Sequence, residues 1–145
     1  MIESMIDLAI ELNKQNKEWA ISRNLDKITH PIHWMKEFCT IHLDIGRASG
    51  KTKYISNNAT IDDVIFVSNG GNARMIREYN NVCNIFVIHF DGVQNFMINN
   101  KIIQFEPKIV YVDEPNRTLN KNKKFDIYNY FSYCKNSPTF ILLGE

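Results

Sequence analysis

Apolar positions along the chain fall into two periods, and the change between them divides it. Over the first residues Ile2, Met5, Ile6, Ala9 and Leu12 or Leu8 recur at helical spacing, so an amphipathic helix is expected, fading near Asn24. His30-Pro31 marks a boundary, because the residue before proline is pushed out of the helical region. Pro31 itself suits the first turn of a short helix through Phe38. Beyond that point short apolar runs alternate with helical stretches. "TIHLDI" (40–45) reads as a strand, and "SGKTKYISNN" starts a helix after a glycine-containing turn. "DVIFVS" (63–68) is a nearly continuous apolar run, the mark of a strand covered on both faces. Asn69-Gly70-Gly71 breaks it, and "NARMIREYNN" predicts the next helix.

"NIFVIHF" (84–90) is a third strand, and "NFMINNKIIQF" (95–105) reads as a β-hairpin turning at Asn99-Asn100. "KIVYVDE" (108–114) is a fourth buried strand ending in acids; "KKFDIYNYFSYC" (123–134) predicts a helix and "TFILLG" (139–144) a last strand. Buried strands alternating with helices imply an α/β sandwich of three layers, a mostly parallel sheet with helices on both faces. Ligands bind such sheets at the carboxyl ends of the strands. The whole chain, 1–145, is expected to be one domain, with residues 1–38 a helical segment and 39–145 the core.

Composition removes some function classes. Seventeen basic residues against 16 acidic ones leave a formal charge of +1, which excludes a strongly basic nucleic-acid protein but not a local patch. Cys39, Cys83 and Cys134 are widely spaced and form no C-x-x-C pair, so neither a zinc site nor a disulfide framework is expected, and a reducing compartment is. His42 and His89 fall in strands and are expected to be structural. The start "MIESMIDLAIEL" is broken by Glu3, Asp7 and Glu11 and does not read as a signal peptide; no run reaches transmembrane length. A cytoplasmic protein without a membrane partner is the expectation. Richness in Asn, Lys and Ile hints at an AT-rich genome, as many phages have.

Two stretches carry chemistry. In "IGRASGKT" (45–52), Gly46, Arg47, Ala48, Ser49, Gly50, Lys51 and Thr52 lie between a strand and a helix. That is where backbone N–H groups and a helix N-terminus form a nest for phosphate oxygens. Lys51 would reach the β- and γ-phosphates and Thr52 would ligate Mg²⁺, although Ile45 replaces the first glycine of the G-x-x-x-x-G-K-[ST] pattern. The plain alternative is a helix start whose hydroxyl is a cap. "KIVYVDEP" then places Asp113 and Glu114 side by side at a strand end. Asp113 would hold Mg²⁺, largely through water, leaving Glu114 to polarise an attacking water. Acids at a strand end facing solvent are a common arrangement and the plain alternative, but both motifs occur in the right order. The Asp-Glu pair favours a hydrolase over a nucleotide kinase.

Together "IGRASGKT", "VIFVSNGGNARMI", "FMINNKIIQF" and "IVYVDEP" resemble the ATPase domain of the large terminase subunit of tailed phages, and more loosely helicase-type ATPases. The resemblance spans roughly Trp34 to Glu145. It implies a P-loop NTPase fold, ATP as substrate with Mg²⁺, Lys51 on phosphate, Thr52 and Asp113 at the metal, and Glu114 as catalytic base. It also implies that Arg47 contacts phosphate or helps trigger hydrolysis, and that DNA, a homo-oligomer or a larger phage complex is the partner. The departures are a short segment between hairpin and "VDE", no clear polar sensor after the last strand unless Glu145 stands in, and no nuclease domain. A packaging motor is therefore not expected of this chain alone; a compact relative, a fragment or a subunit borrowing parts from a neighbour is. The competing function is a nucleotide-binding module without significant hydrolysis.

Weaker signals have duller alternatives. Trp34 and Phe38 can offer a base a stacking face, with Gln15 as an amide, but aromatics at helical spacing usually fill a core. Arg117, Lys121, Lys123 and Lys124 precede Phe125, Tyr128, Tyr130, Phe131 and Tyr133, a mixture that can grip single-stranded nucleic acid or simply be a solvated loop before an inward-facing helix. Arg74 and Arg77 can contact DNA or a neighbour's phosphate, with surface salt bridges the plainer account.

Overall fold

The computed structural model describes residues 2–46, 50–80, 85–89, 106–119 and 126–145. The expected hairpin (95–105), Cys83, Lys121, Lys123, Lys124 and Phe125 lie outside the described residues, as do Arg47, Ala48 and Ser49. The helices are α1 (Ile2–Ser22), α2 (Leu25–Ile28), α3 (Pro31–Phe38), α4 (Lys51–Asn58), α5 (Gly70–Tyr79), α6 (Pro115–Leu119) and α7 (Ile127–Tyr130), the last followed by a 3₁₀ turn, Phe131–Tyr133. The strands are β1 (Thr40–Leu43), β2 (Val64–Val67), β3 (Phe86–His89), β4 (Ile109–Asp113) and β5 (Thr139–Leu143).

The five strands among the described residues form one parallel sheet in the order β1-β5-β4-β2-β3. Strand alternation sends Val64, Phe66, Val110, Val112, Phe140 and Leu142 to one face, against Trp34 and Met35 of α3 and Ile127 and Phe131 after β4. It sends Ile65, Val67, Tyr111, Ile141 and Leu143 to the other, against Tyr54 and Ile55 of α4 and Ala73 and Ile76 of α5. The result is the three-layer α/β arrangement the periodicity predicts. Among the described residues no helix is long and apolar enough to cross a membrane.

Local chemistry explains most boundaries. Pro31 opens α3, where the His30 ring nitrogen accepts from the Ile32 N–H at 3.2 Å. The strand ends before Asn69-Gly70-Gly71 as expected, but the next helix already starts at Gly70, because Asn69 takes an extended backbone and its Oδ1 caps the Asn72 N–H at 2.9 Å. The helix expected over 123–134 is shorter within the described residues. Asp126 caps Tyr128 and Asn129, and the turn tightens to 3₁₀ at Phe131.

α1 departs most from its reading. Ile6 and Ala20 are buried, on opposite faces of the sheet, so this helix runs past the β1 edge and covers it. Met5, Leu8 and Leu12, expected on its inner face, are exposed. Ile2, Ile6 and Ala9 do turn inward as expected, joined by Ile10.

Candidate functional site

Strand register levels the chemistry. Leu43 of β1 pairs with Leu143 of β5, which pairs with Asp113 of β4, so three strands end in a row. By alternation Asp113 follows Tyr111 onto the face that carries α4. Gly50 closes the turn after β1 at φ 90°, left-handed backbone that glycine adopts without strain, and α4 begins at Lys51.

Two pairs then meet across β5. The Thr52 hydroxyl donates to Asp113 Oδ2 at 2.8 Å. The Lys51 ammonium, 6% exposed, lies 2.8 Å from Glu114 Oε1 and donates to the carbonyls of Ile45 at 2.9 Å and Gly46 at 3.0 Å. Residues on two segments 61 positions apart thus form one cluster of a cation, a hydroxyl and two carboxylates.

The environments of the two carboxylates differ. Asp113 is 2% exposed, and its Oδ1 has no hydrogen-bond partner among the described residues. Burial pushes its pKa up, the Thr52 hydrogen bond opposes that, and the charge of Glu114 adds to the rise. Burial works in the same direction on Glu114. Its hydrogen bond and charge interaction with Lys51, the Glu145 backbone N–H and Arg117 outweigh that and hold it below its ordinary value.

A buried aspartate whose folded pKa exceeds its unfolded value of 3.8 supports the fold fully only below that value, and its contribution falls as pH rises through the folded pKa. Accordingly, Asp113→Asn is expected to gain stability relative to the wild-type protein as pH rises above 3.8. Urea unfolding at a series of pH values reads this directly; a difference that is flat or of opposite slope refutes it.

Glu114 is held by backbone as well as by Lys51. It sits at φ 51°, unusual for a residue with a Cβ. Its N–H donates to Leu143 O at 2.8 Å, and its carbonyl accepts from the Thr118 N–H at 2.9 Å. Opposite it, Gly144 takes φ 112°; its N–H donates to Leu43 O at 2.9 Å, and its carbonyl lies 2.9 Å from His42 Nε2. A Cβ on Gly144 would come within 2.7 Å of Glu114 Oε2. Gly144→Ala is therefore expected to cost about 1–3 kcal/mol in urea unfolding and to drive Glu114 away from Lys51. A fully stable variant would show that this glycine is replaceable.

A cavity of about 70 Å³ opens beside the cluster, lined by Ile45, Gly46, Glu114, Asn116, Arg117 and Glu145. A larger one of about 260 Å³ lies between α4 and α5, reaching Thr52 but lined chiefly by Ser56, Asn57, Met75 and Tyr79. Of the cluster, Glu114 faces the smaller cavity, together with Asp44, Arg117 and Glu145. Sequence reasoning missed Gly144, His42 and Arg117 as parts of this site. For Arg117 the signal was its place three residues after Glu114, on the first turn beyond β4.

The remaining candidates separate cleanly. Gly46, Gly50, Lys51, Thr52, Asp113 and Glu114 gather at one sheet edge; Arg47, Ala48 and Ser49 lie outside the described residues. Trp34 is 6% exposed and packs on Phe38 at 4.8 Å in the core of the opposite face, so it offers no platform beside Lys51. Gln15 donates at 3.4 Å to Glu11 on the exposed side of α1. Phe131 is buried, and Tyr128 stacks on Phe140 at 4.8 Å while its hydroxyl accepts from Thr40 at 3.1 Å. Those rings belong to the core. Arg77 donates to Val87 O at 3.0 Å, tying α5 to β3, and so forms a backbone tie where a surface salt bridge was the plainer expectation.

The donor set suits a small hard cation, since Thr52 and Asp113 supply only oxygen and Mg²⁺ is held by one or two carboxylates plus phosphates and water. The partnerless Asp113 Oδ1 is a buried acceptor that such an ion or its water would satisfy. Comparison of the chain with protein-family models, curated proteins and solved structures found no match. The functional reading therefore rests on this geometry and on the motifs.

Proposed function

We propose that this chain is a Mg²⁺-dependent P-loop ATPase of the terminase- and helicase-like class, with residues 45–52 as its phosphate loop. The observation that carries the reading is the meeting of Lys51 with Glu114 and of Thr52 with Asp113, each at 2.8 Å, at the carboxyl ends of parallel strands. A salt bridge at a strand end needs only two residues. A lysine and hydroxyl at a helix start facing adjacent carboxylates on another strand is what phosphoryl chemistry requires.

In this reading Lys51 leaves Glu114 and its two loop carbonyls to donate to phosphate oxygens. Mg²⁺ held beside Thr52 and Asp113 would neutralise charge on the phosphate oxygens. Released from Lys51, Glu114 takes a proton from the water that attacks the γ-phosphorus, as the bond to the bridging oxygen breaks and ADP leaves. In the unliganded state, despite its burial, Glu114 is held below its ordinary value by Lys51, the Glu145 backbone N–H and Arg117, so it enters the step ionised, the state a base must start from. Arg117 faces the cavity that the water would occupy.

One feature favours a non-hydrolysing nucleotide-binding module as the second reading. Glu114 is already engaged by Lys51, and while it is so held it does not act as a base. Measuring ATP binding and phosphate release with and without Mg²⁺, and with and without DNA, separates the two. Mg²⁺-dependent turnover supports the ATPase, and turnover raised by DNA supports the motor-like class. Binding without turnover supports the module, and no binding of any nucleotide ends both readings.

A further inference from the structure

Met5, Leu8, Leu12 and Trp19 are respectively 50, 61, 56 and 52% exposed on α1, and they lie three, four and seven residues apart. That is the a and d pattern of a two-helix seam, with Met5, Leu12 and Trp19 at a and Leu8 and Gln15 at d. The stripe runs about 21 Å along a helix whose opposite side is already packed on the sheet edge. Its apolar side chains are thus repeated at coiled-coil period on the side of α1 that faces away from the domain's core.

We propose that this stripe is the interface of a parallel homodimer, α1 of one chain lying against α1 of a second copy. The flanking charges select this occupant and this direction. Glu11 and Glu18 fall at g, and Asn16 and Arg23 at e; Arg23 sits in the closing turn of α1, its N–H donating to Ala20 O at 3.1 Å. In a parallel pair, g faces the e position of the partner five residues on, which sets Glu18 against Arg23 and Glu11 against Asn16, twice over by symmetry. An antiparallel pair with Leu8 facing Leu12 sets Glu11 against Glu11 and leaves Glu18 facing Ser4. The guanidinium of Arg23, 5.4 Å from the Trp19 ring centre, already lies at the edge of the seam. Gln15 at a d position meets its own copy in register, the role polar residues play in fixing coiled-coil pairing. Acidic flanks at Glu11 and Glu18 are poorly suited to an anionic lipid surface.

α1 is ordered within the domain before it pairs, so association carries little ordering cost and a short seam suffices. The test is sedimentation and light scattering of the intact chain over a concentration series, with circular dichroism to verify folding. The wild-type protein is expected to form dimers. Leu8→Glu and Leu12→Glu, both at exposed positions, are each expected to raise the dimer dissociation constant about a hundredfold or more. Met5→Cys and Trp19→Cys, oxidised singly, are each expected to crosslink to their own counterpart, the bond located by peptide mass. A monomer at all concentrations overturns the proposal, as does one that co-sediments with phosphatidylcholine–phosphatidylserine vesicles. So does a dimer indifferent to Leu12→Glu. Crosslinking only between Met5→Cys and Trp19→Cys in mixture overturns the parallel direction.

Discussion

Glu114→Gln is expected to abolish ATP turnover while tightening nucleotide binding. The first effect follows from removing the proposed base, whose side chain faces the small cavity, a loss of about 10²–10⁴-fold in kcat. The second follows from the free state. Lys51 cannot donate fully to phosphate while it is bound to Glu114 at 2.8 Å, so a nucleotide must first break that pair. A neutral amide competes less, and the gain is about three- to tenfold in affinity, the scale of a partly exposed ion pair. The same substitution leaves a nearly buried ammonium with neutral acceptors alone and no counter-charge, so the unliganded fold should lose stability. Calorimetric titration with ADP and a non-hydrolysable ATP analogue, alongside phosphate release and thermal unfolding, reads all three. Retained turnover removes Glu114 from the role of base. Unchanged affinity shows that the Lys51 pair does not gate the site.

The parts of this site that were legible in the sequence are those that local pattern dictates. "DVIFVS" and "KIVYVDE" read as strands buried on both sides because such strands need no polar face, and Val64–Val67 is buried throughout. Parallel strands share a carboxyl edge, so a loop after one strand and acids after another were bound to open on the same side. What stayed hidden depends on register between distant strands. That β5 lies between β1 and β4 cannot be read from strand order along the chain, yet it brings Gly144 under Glu114 and leaves no room there for a Cβ. The left-handed backbone of Glu114 follows from the same pairing, since its N–H is drawn to Leu143. α1 misled for a different reason. Apolar residues occupy more than one of its sides, and a one-dimensional pattern does not say which side meets the sheet.

Lys51→Ala is the second large effect, and it reaches further than the loss of one charge. Lys51 Nζ joins three partners at once, the Glu114 carboxylate and the carbonyls of Ile45 and Gly46, so it ties the segment after β1 to the end of β4. Removing it deletes the cation that would meet the β- and γ-phosphates, and charge-assisted bonds of that kind contribute about 1.5–3 kcal/mol each. Nucleotide affinity is therefore expected to fall about a hundredfold or more, with turnover lost. Glu114 loses its strongest stabilising neighbour at the same time, so burial is left to push its pKa up from its present lowered value. A folded pKa below the unfolded one supports the fold above the unfolded value and gives that support up as pH falls through the folded one. The wild-type protein should then lose stability relative to Lys51→Ala as pH is lowered below the ordinary glutamate value of 4.5, a trend that urea unfolding resolves without any ligand. The two readouts fail separately. Intact nucleotide binding in Lys51→Ala would defeat the phosphate-loop assignment, whereas a missing pH trend would show only that the Lys51–Glu114 pair does not support the unliganded fold.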